Sequence, residues 1–194
     1  MALAQVRAAT PDDVDEIIRI QAETWRTAYS EWVPEAAIEQ LTGPAARQAW
    51  AAAVATGQGH HVLVATEGDW IVGFCAAAPV DAEEVGVSPD QAQIVTLLVE
   101  PRWGRRGHGR RLLGAAFEAV AQDGAQGGIA WLPEQDVASR ACYDRVGWDP
   151  DGMGRTLDAG DRELRELRLA GPLRVENRDP RRRIMESGGI PDLP

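Results

Sequence analysis

The stretch Val99-Glu100-Pro101-Arg102-Trp103-Gly104-Arg105-Arg106-Gly107-His108-Gly109-Arg110-Arg111-Leu112-Leu113 decides how this chain is read. It places five arginines within residues 102–111 of a protein whose 20 basic and 30 acidic side chains give a net charge of −10. Upstream, Gln93-Ile94-Val95-Thr96-Leu97-Leu98-Val99 is rich in β-branched and aliphatic residues, which predicts a strand buried on both faces, ended by Pro101. Downstream, Leu113, Ala116, Phe117 and Val120 share one face of a helix expected over 107–122 and closed by Asp123-Gly124. The arginines therefore lie in a strand-to-helix turn. Gly107 and Gly109 let the backbone there take positive φ and approach a ligand closely, while free N–H groups at a helix start face an anion. That is a phosphate cradle, with a solvated basic loop as the plainer alternative. A dinucleotide fingerprint is disfavoured, because Leu112 stands where the third glycine belongs and the turn lies halfway along the chain.

The surrounding pattern predicts strands alternating with helices. Before the turn, a short run at 4–9 leads into a helix from about Pro11, whose stripe is Val14, Ile17, Ile18 and Gln21 or Ala22 and then Trp25. Further helices are expected over Ala36–Leu41 and from Pro44 to Val54. Val62–Ala65 and Trp70–Cys75 flank Glu67-Gly68-Asp69 as a hairpin, followed by an acidic loop over 80–91. After the turn come a strand at Ile129–Leu132, a helix capped by Asp136 and stopped by Gly147, and strands near Gly154–Leu157 and Glu163–Leu169. The expected fold is an α/β (α+β) sheet with helices on both faces, formed by residues 1–171, with 172–194 as an extended tail.

Composition removes several chemistries. All 20 basic residues are arginine, so a Walker A loop, a pyridoxal Schiff base and a protein kinase, each of which needs a lysine, are excluded. Cys75 and Cys142 are too few for a disulfide framework, and His60, His61 and His108 lack ligand spacing, so no metal is expected. The single short basic cluster argues against nucleic acid. No run of about 18 apolar residues is present, and residues 1–7 do not resemble a signal peptide, so a cytoplasmic protein without membrane contact is expected.

Residues 99–113, preceded by their strand, resemble motif A of the GNAT superfamily of acyl-CoA-dependent N-acetyltransferases, whose loop reads [Q/R]-x-x-G-x-[G/A] and here reads Gly104-Arg105-Arg106-Gly107-His108-Gly109. Asp136-Val137-Ala138-Ser139-Arg140-Ala141-Cys142-Tyr143-Asp144-Arg145-Val146-Gly147-Trp148 is similar to motif B, N-x-x-A-x-x-[LF]-Y-x-x-x-G-F, with Tyr143 and Gly147 matching outright. Val6–Asp13 is similar to the family's opening, and Trp25-Arg26-Thr27-Ala28-Tyr29 with Pro34 resembles a W-R-x-A-Y segment of one bacterial branch. The resemblance covers residues 5–170. It implies a mixed, mostly antiparallel sheet of about seven strands and acetyl-CoA as cosubstrate. The amides of Arg105, Arg106, Gly107, His108, Gly109 and Arg110 would hold the pyrophosphate. Leu97, Leu98 and Val99 would line the pantetheine, with Asp136 also on the cofactor side. Tyr143 would protonate the departing sulfur.

Acyl transfer to an amine also needs an oxyanion site and a base. Backbone N–H groups at a bulge of strand 93–99 suit the first. For the second, Gln93 stands where some family members carry glutamate, leaving Glu23, Glu31, Asp81, Glu83, Glu84, His60 and His61 open. Trp25, Tyr29 and Glu31, with Trp32, are candidates for the acceptor pocket. Cys142 reads as a buried, inert thiol. The expected reaction moves acetyl to the primary amine of a small cationic molecule. A non-catalytic acyl-CoA sensor and a peptide amine acetyltransferase stay open as alternatives, and so does a homodimer.

Overall fold

The computed structural model describes residues 4–57, 59–158 and 162–174. In chain order the elements are β1 (Ala4–Ala8), α1 (Val14–Ala28), α2 (Glu35–Gln40), α3 (Pro44–Thr56), β2 (His61–Glu67), β3 (Trp70–Pro79), β4 (Gln91–Val99), α4 (His108–Gln122), β5 (Gly127–Pro133), α5 (Val137–Asp144), β6 (Asp149–Asp158) and β7 (Glu163–Pro172). They build one seven-stranded sheet in the order β1-β2-β3-β4-β5-β7-β6. Every neighbouring pair is antiparallel except β4 with β5.

Helices cover both faces. On one, Leu112, Leu113, Ala116 and Phe117 of α4, with Tyr143 of α5 and Val146 and Trp148 beyond it, pack on Val72, Cys75, Ile94 and Ala130. On the other, Ile17 and Ile20 of α1 and Ile38 of α2 pack on Val62, Val64, Phe74 and Leu98. The α1 stripe is the expected one widened by Ile20 and Thr24, a broad apolar face suited to a sheet. Trp148 stacks on Phe117 with centroids 5.1 Å apart and planes 9° apart.

Several boundaries move. Residues 11–13 form a 3-10 turn and the α-helix begins at Val14. Asp13 folds back to accept from the Thr10 amide at 2.7 Å and is clamped by Arg7 at 2.6 Å. β6 extends across 149–158, interrupted by an irregularity between Pro150 and Gly154; along it, exposed residues on both faces of an edge strand hide the alternation that marks a strand in sequence. Pro172, assigned above to the tail, still pairs with Gly127 in β7. Of that expected tail, residues 175–194 lie outside the described residues.

Two irregularities at β4 shape the molecule. β4 pairs with β5 only through Gln91, Ala92 and Gln93, after which the two parallel strands part. On its other edge, Thr96 pairs with Ala76 and Ile94 with Ala77, so Val95 is an extra, bulged residue. The result is a wedge between β4 and β5, open toward their C-terminal ends.

Candidate active site

The arginine-rich turn lies at the mouth of this wedge. After β4, Pro101–Trp103 make one 3-10 turn, and Gly104 sits so close to it that a Cβ there would lie 3.0 Å from the Pro101 carbonyl oxygen. Arg105 then adopts φ 62 and Gly107 φ 85, two left-handed residues flanking Arg106. For arginine that conformation costs about 1–2 kcal/mol, a strain seen most often at functional loops. Gly107 is the N-cap of α4, so the first amides of a 15-residue helix open at the wedge. Arg106 stacks over Trp103 at 4.8 Å, and Arg111 donates to the Arg106 carbonyl at 3.1 Å.

The wedge floor is β4. Leu98 is buried in the core with Ile17 and Phe74, whereas Leu97 and Val99 pack on the α4 side. Beyond Gln93 the β5-facing backbone edge of β4 has no strand partner, so its amides and carbonyls are open to a ligand. Val95, in the bulge, is exposed.

The far wall is α5. Asp136 caps it, Oδ1 accepting from the Ser139 amide at 2.9 Å, and Asp136 Oδ2 receives the Tyr29 hydroxyl at 2.5 Å. Burial, then the Asp136 charge, pushes the Tyr29 phenol well above its ordinary range. Tyr143, two turns along α5 from that cap, is buried, and that burial likewise raises its phenol well above its ordinary value. Its ring lies 5.3 Å from Trp148. Cys142 Sγ faces α4, where a Cβ on Gly109 would lie 3.2 Å from it. Burial pushes this thiol up as well, which disfavours the thiolate.

The α4 N-terminus and its glycine-containing turn thus stand over a parted parallel strand pair. The family model described as "Acetyltransferase (GNAT) family" matches residues 15–148. The chain belongs to the GNAT acetyltransferase family. It is 29% identical over 135 residues to the uncharacterized N-acetyltransferase YuaI of Bacillus subtilis strain 168, covering 69% of this chain and 74% of that one. Among solved structures it is similar to the PaiA N-acetyltransferase of Thermoplasma acidophilum in complex with coenzyme A, at TM-score 0.71 and 14% identity over 88% of this chain and 99% of the other. It also resembles the Salmonella typhimurium protein yncA with its cofactor acetyl-CoA, at TM-score 0.70 and 19% identity over 92% and 98%. As a member of this family the chain is an acetyl-CoA-dependent N-acetyltransferase.

The GNAT frame brings most of the singled-out residues to one place. Arg105, Arg106 and Gly107 make the turn and His108, Gly109 and Arg110 the first residues of α4, while Leu97 and Val99 pack against the buried cluster that contains Tyr143. Leu98 points its side chain away, leaving its backbone on the wedge edge. Asp136 uses both carboxylate oxygens inside the protein, and Tyr29 is its partner. Trp25 and Trp32 flank Tyr29 at centroid distances of 5.2 and 5.7 Å, and Glu31 is exposed, its carbonyl accepting from Arg162. Of the base candidates, His61 pairs with Asp123, and Glu84 with Arg168 and the Trp131 indole.

Sequence reasoning missed Glu67, which holds both Arg106 and His108. It also missed Arg168, buried between Glu84 and Asp151. Both are long-range pairings between distant strands and loops. Among the described residues no cluster of three or more His, Cys, Asp and Glu is placed to hold a metal, and no helix is long and apolar enough to cross a membrane.

Proposed function

We propose that this GNAT protein transfers acetyl from acetyl-CoA to the primary amine of a small cationic acceptor by direct attack. The observation that carries this reading is the parting of β4 from β5 directly below the α4 N-terminus. The amides from Arg105 to Arg110 hold the pyrophosphate, and Arg105, Arg106 and Arg110 add charge around it. Pantetheine runs along the free β4 edge beside Leu97, Leu98 and Val99. At the Val95 bulge the displaced backbone N–H groups donate hydrogen bonds to the thioester oxygen as it gains negative charge. Tyr143, kept neutral by burial, donates its proton to the departing sulfur, whose thiol pKa is about 8.5, while the attacking nitrogen sheds a proton to solvent, from which the tyrosine is reprotonated.

The acceptor enters from the side of the α1–α2 turn, where Trp25, Trp32 and Glu31 lie beside the buried Tyr29. The aromatic faces and the protein's net charge of −10 favour a cationic amine. A calorimetric titration with acetyl-CoA, followed by thiol release on adding polyamines, amino acids, aminoglycosides or peptides, tests this reading. Saturable binding with release on a small cationic amine supports it. Binding without release favours a sensor, release on peptides alone moves the acceptor to polypeptide, and no binding overturns the cradle.

A further inference from the structure

The cradle has a support that the family motif does not contain. Glu67 closes β2 at the β2–β3 hairpin, 39 and 41 residues before the two groups it holds. One of its oxygens accepts from Arg106 Nη1 at 3.1 Å, and the other faces His108 Nε2 at 2.9 Å. An ionised carboxylate only accepts, so Nε2 carries the hydrogen. Arg106 and His108 flank Gly107, the left-handed N-cap, and Arg106 follows the left-handed Arg105. One carboxylate thus ties down both sides of the strained turn.

Two features argue that this pairing serves something other than stability. His108 is 2% exposed, yet its Nδ1 is buried with no hydrogen-bond partner. Leaving a buried polar atom unsatisfied is unfavourable. An aliphatic side chain would fill it at lower cost. Moreover, Glu67 brings a negative charge to the edge of a site that binds phosphates, where simple electrostatics would exclude it.

We infer that Glu67, acting through His108 and Arg106, is the positioning residue that holds the 105–108 backbone in its anion-binding conformation. Because the backbone is set before the cofactor arrives, less ordering is left for binding, and affinity rises despite the added negative charge. This inference rests on the reading of the cradle as the acetyl-CoA site.

The two possible roles of Glu67 differ in sign. If it positions the loop, Glu67→Ala weakens acetyl-CoA binding by about tenfold, with a matching rise in KM for acetyl-CoA and kcat within about twofold. If it is only a neighbouring charge, its removal tightens binding. Glu67→Gln keeps the shape and one acceptor, and should fall between wild type and Glu67→Ala. It also supplies the answer should the alanine variant fail to fold. His108→Leu gives a second readout that a merely structural role would not reproduce: weaker binding with an unchanged or raised melting temperature. Calorimetry and thermal melts on the full chain measure both quantities. If wild type itself does not bind acetyl-CoA, the cradle reading fails and takes this inference with it. If wild type binds and Glu67→Ala and Glu67→Gln bind equally or more tightly, only the positioning role is overturned.

Discussion

The Tyr29 hydroxyl donates to Asp136 Oδ2 at 2.5 Å, joining the end of α1 to the cap of α5 across 107 residues of sequence. Asp136 Oδ1 meanwhile holds the Ser139 amide, so one buried carboxylate fixes both the start of α5 and its position against the α1–α2 turn. Tyr143 rides on α5, and Trp25 and Trp32 pack beside Tyr29. On the proposed reading, the acceptor side and the cofactor side of the site are therefore joined through this hydrogen bond.

Tyr29→Phe removes that donor and leaves a buried carboxylate oxygen short of a partner. Hydrogen bonds to charged groups contribute about 1.5–3 kcal/mol, which for a domain of this size is a fall in melting temperature of roughly 3–12 °C. The kcat should fall with it as α5 loosens. A melt at the wild-type temperature would show that the contact does not hold α5.

Tyr143→Phe keeps the ring that packs on Trp148 and removes the proton. The kcat should drop by about a hundredfold with KM for acetyl-CoA nearly unchanged, the pattern of an interaction made only in the transition state. Because burial holds the phenol well above 10, its acid form persists through neutral and moderately alkaline pH. The pH–rate profile should therefore show no alkaline loss from this group below pH 10. An unaltered kcat in the variant would remove the acid role.

How much of this could be read from sequence follows from the range of the interactions. The turn after β4 is local: glycines, arginines and a strand-to-helix boundary fall within fifteen residues, so composition and spacing suffice to find it. The bulge at Val95 and the wedge are set by how β4 pairs with β3 and β5, which no local pattern of Gln93–Val99 reveals. Gly128 and Gly171 look like ordinary strand glycines. In the fold, a Cβ at either would meet the Trp148 ring at 2.7 and 2.3 Å, so they form the flat floor that lets Trp148 reach Phe117. In the acidic 80–91 loop, Glu84 anchors the loop by accepting from Arg168 and from Trp131, contacts made 84 and 47 residues away.

The contact between Gly109 and Cys142 ties the cradle to the helix that carries Tyr143. Gly109→Ala brings a methyl within 3.2 Å of Cys142 Sγ, closer than comfortable packing allows, and should destabilise the fold by about 1–2 kcal/mol. Cys142→Ala opens that space. In the double variant the methyl of residue 109 should be accommodated, giving a coupling of at least about 0.5 kcal/mol in urea denaturation. Strict additivity would show that the two helices do not meet through this pair.

The last prediction concerns acid. Hydrogen bonding from Arg7, followed by that from Thr10, lowers the Asp13 carboxyl to about 2, against an ordinary value of 3.8. A carboxyl whose folded-state pKa is depressed stabilises the protein above its unfolded pKa, and the contribution is lost as pH falls through the folded one. Stability from this pair is thus complete above about pH 4 and disappears between pH 4 and pH 2. Arg7 is partly exposed, which reduces the contribution to about 1–2 kcal/mol. Asp13→Asn should lower the urea midpoint at pH 6. The gap from wild type should then narrow across that acid window as the wild-type carboxyl protonates. A gap that stays constant down to pH 2 would mean the Arg7–Asp13 pair does not set the acid response of the α1 start.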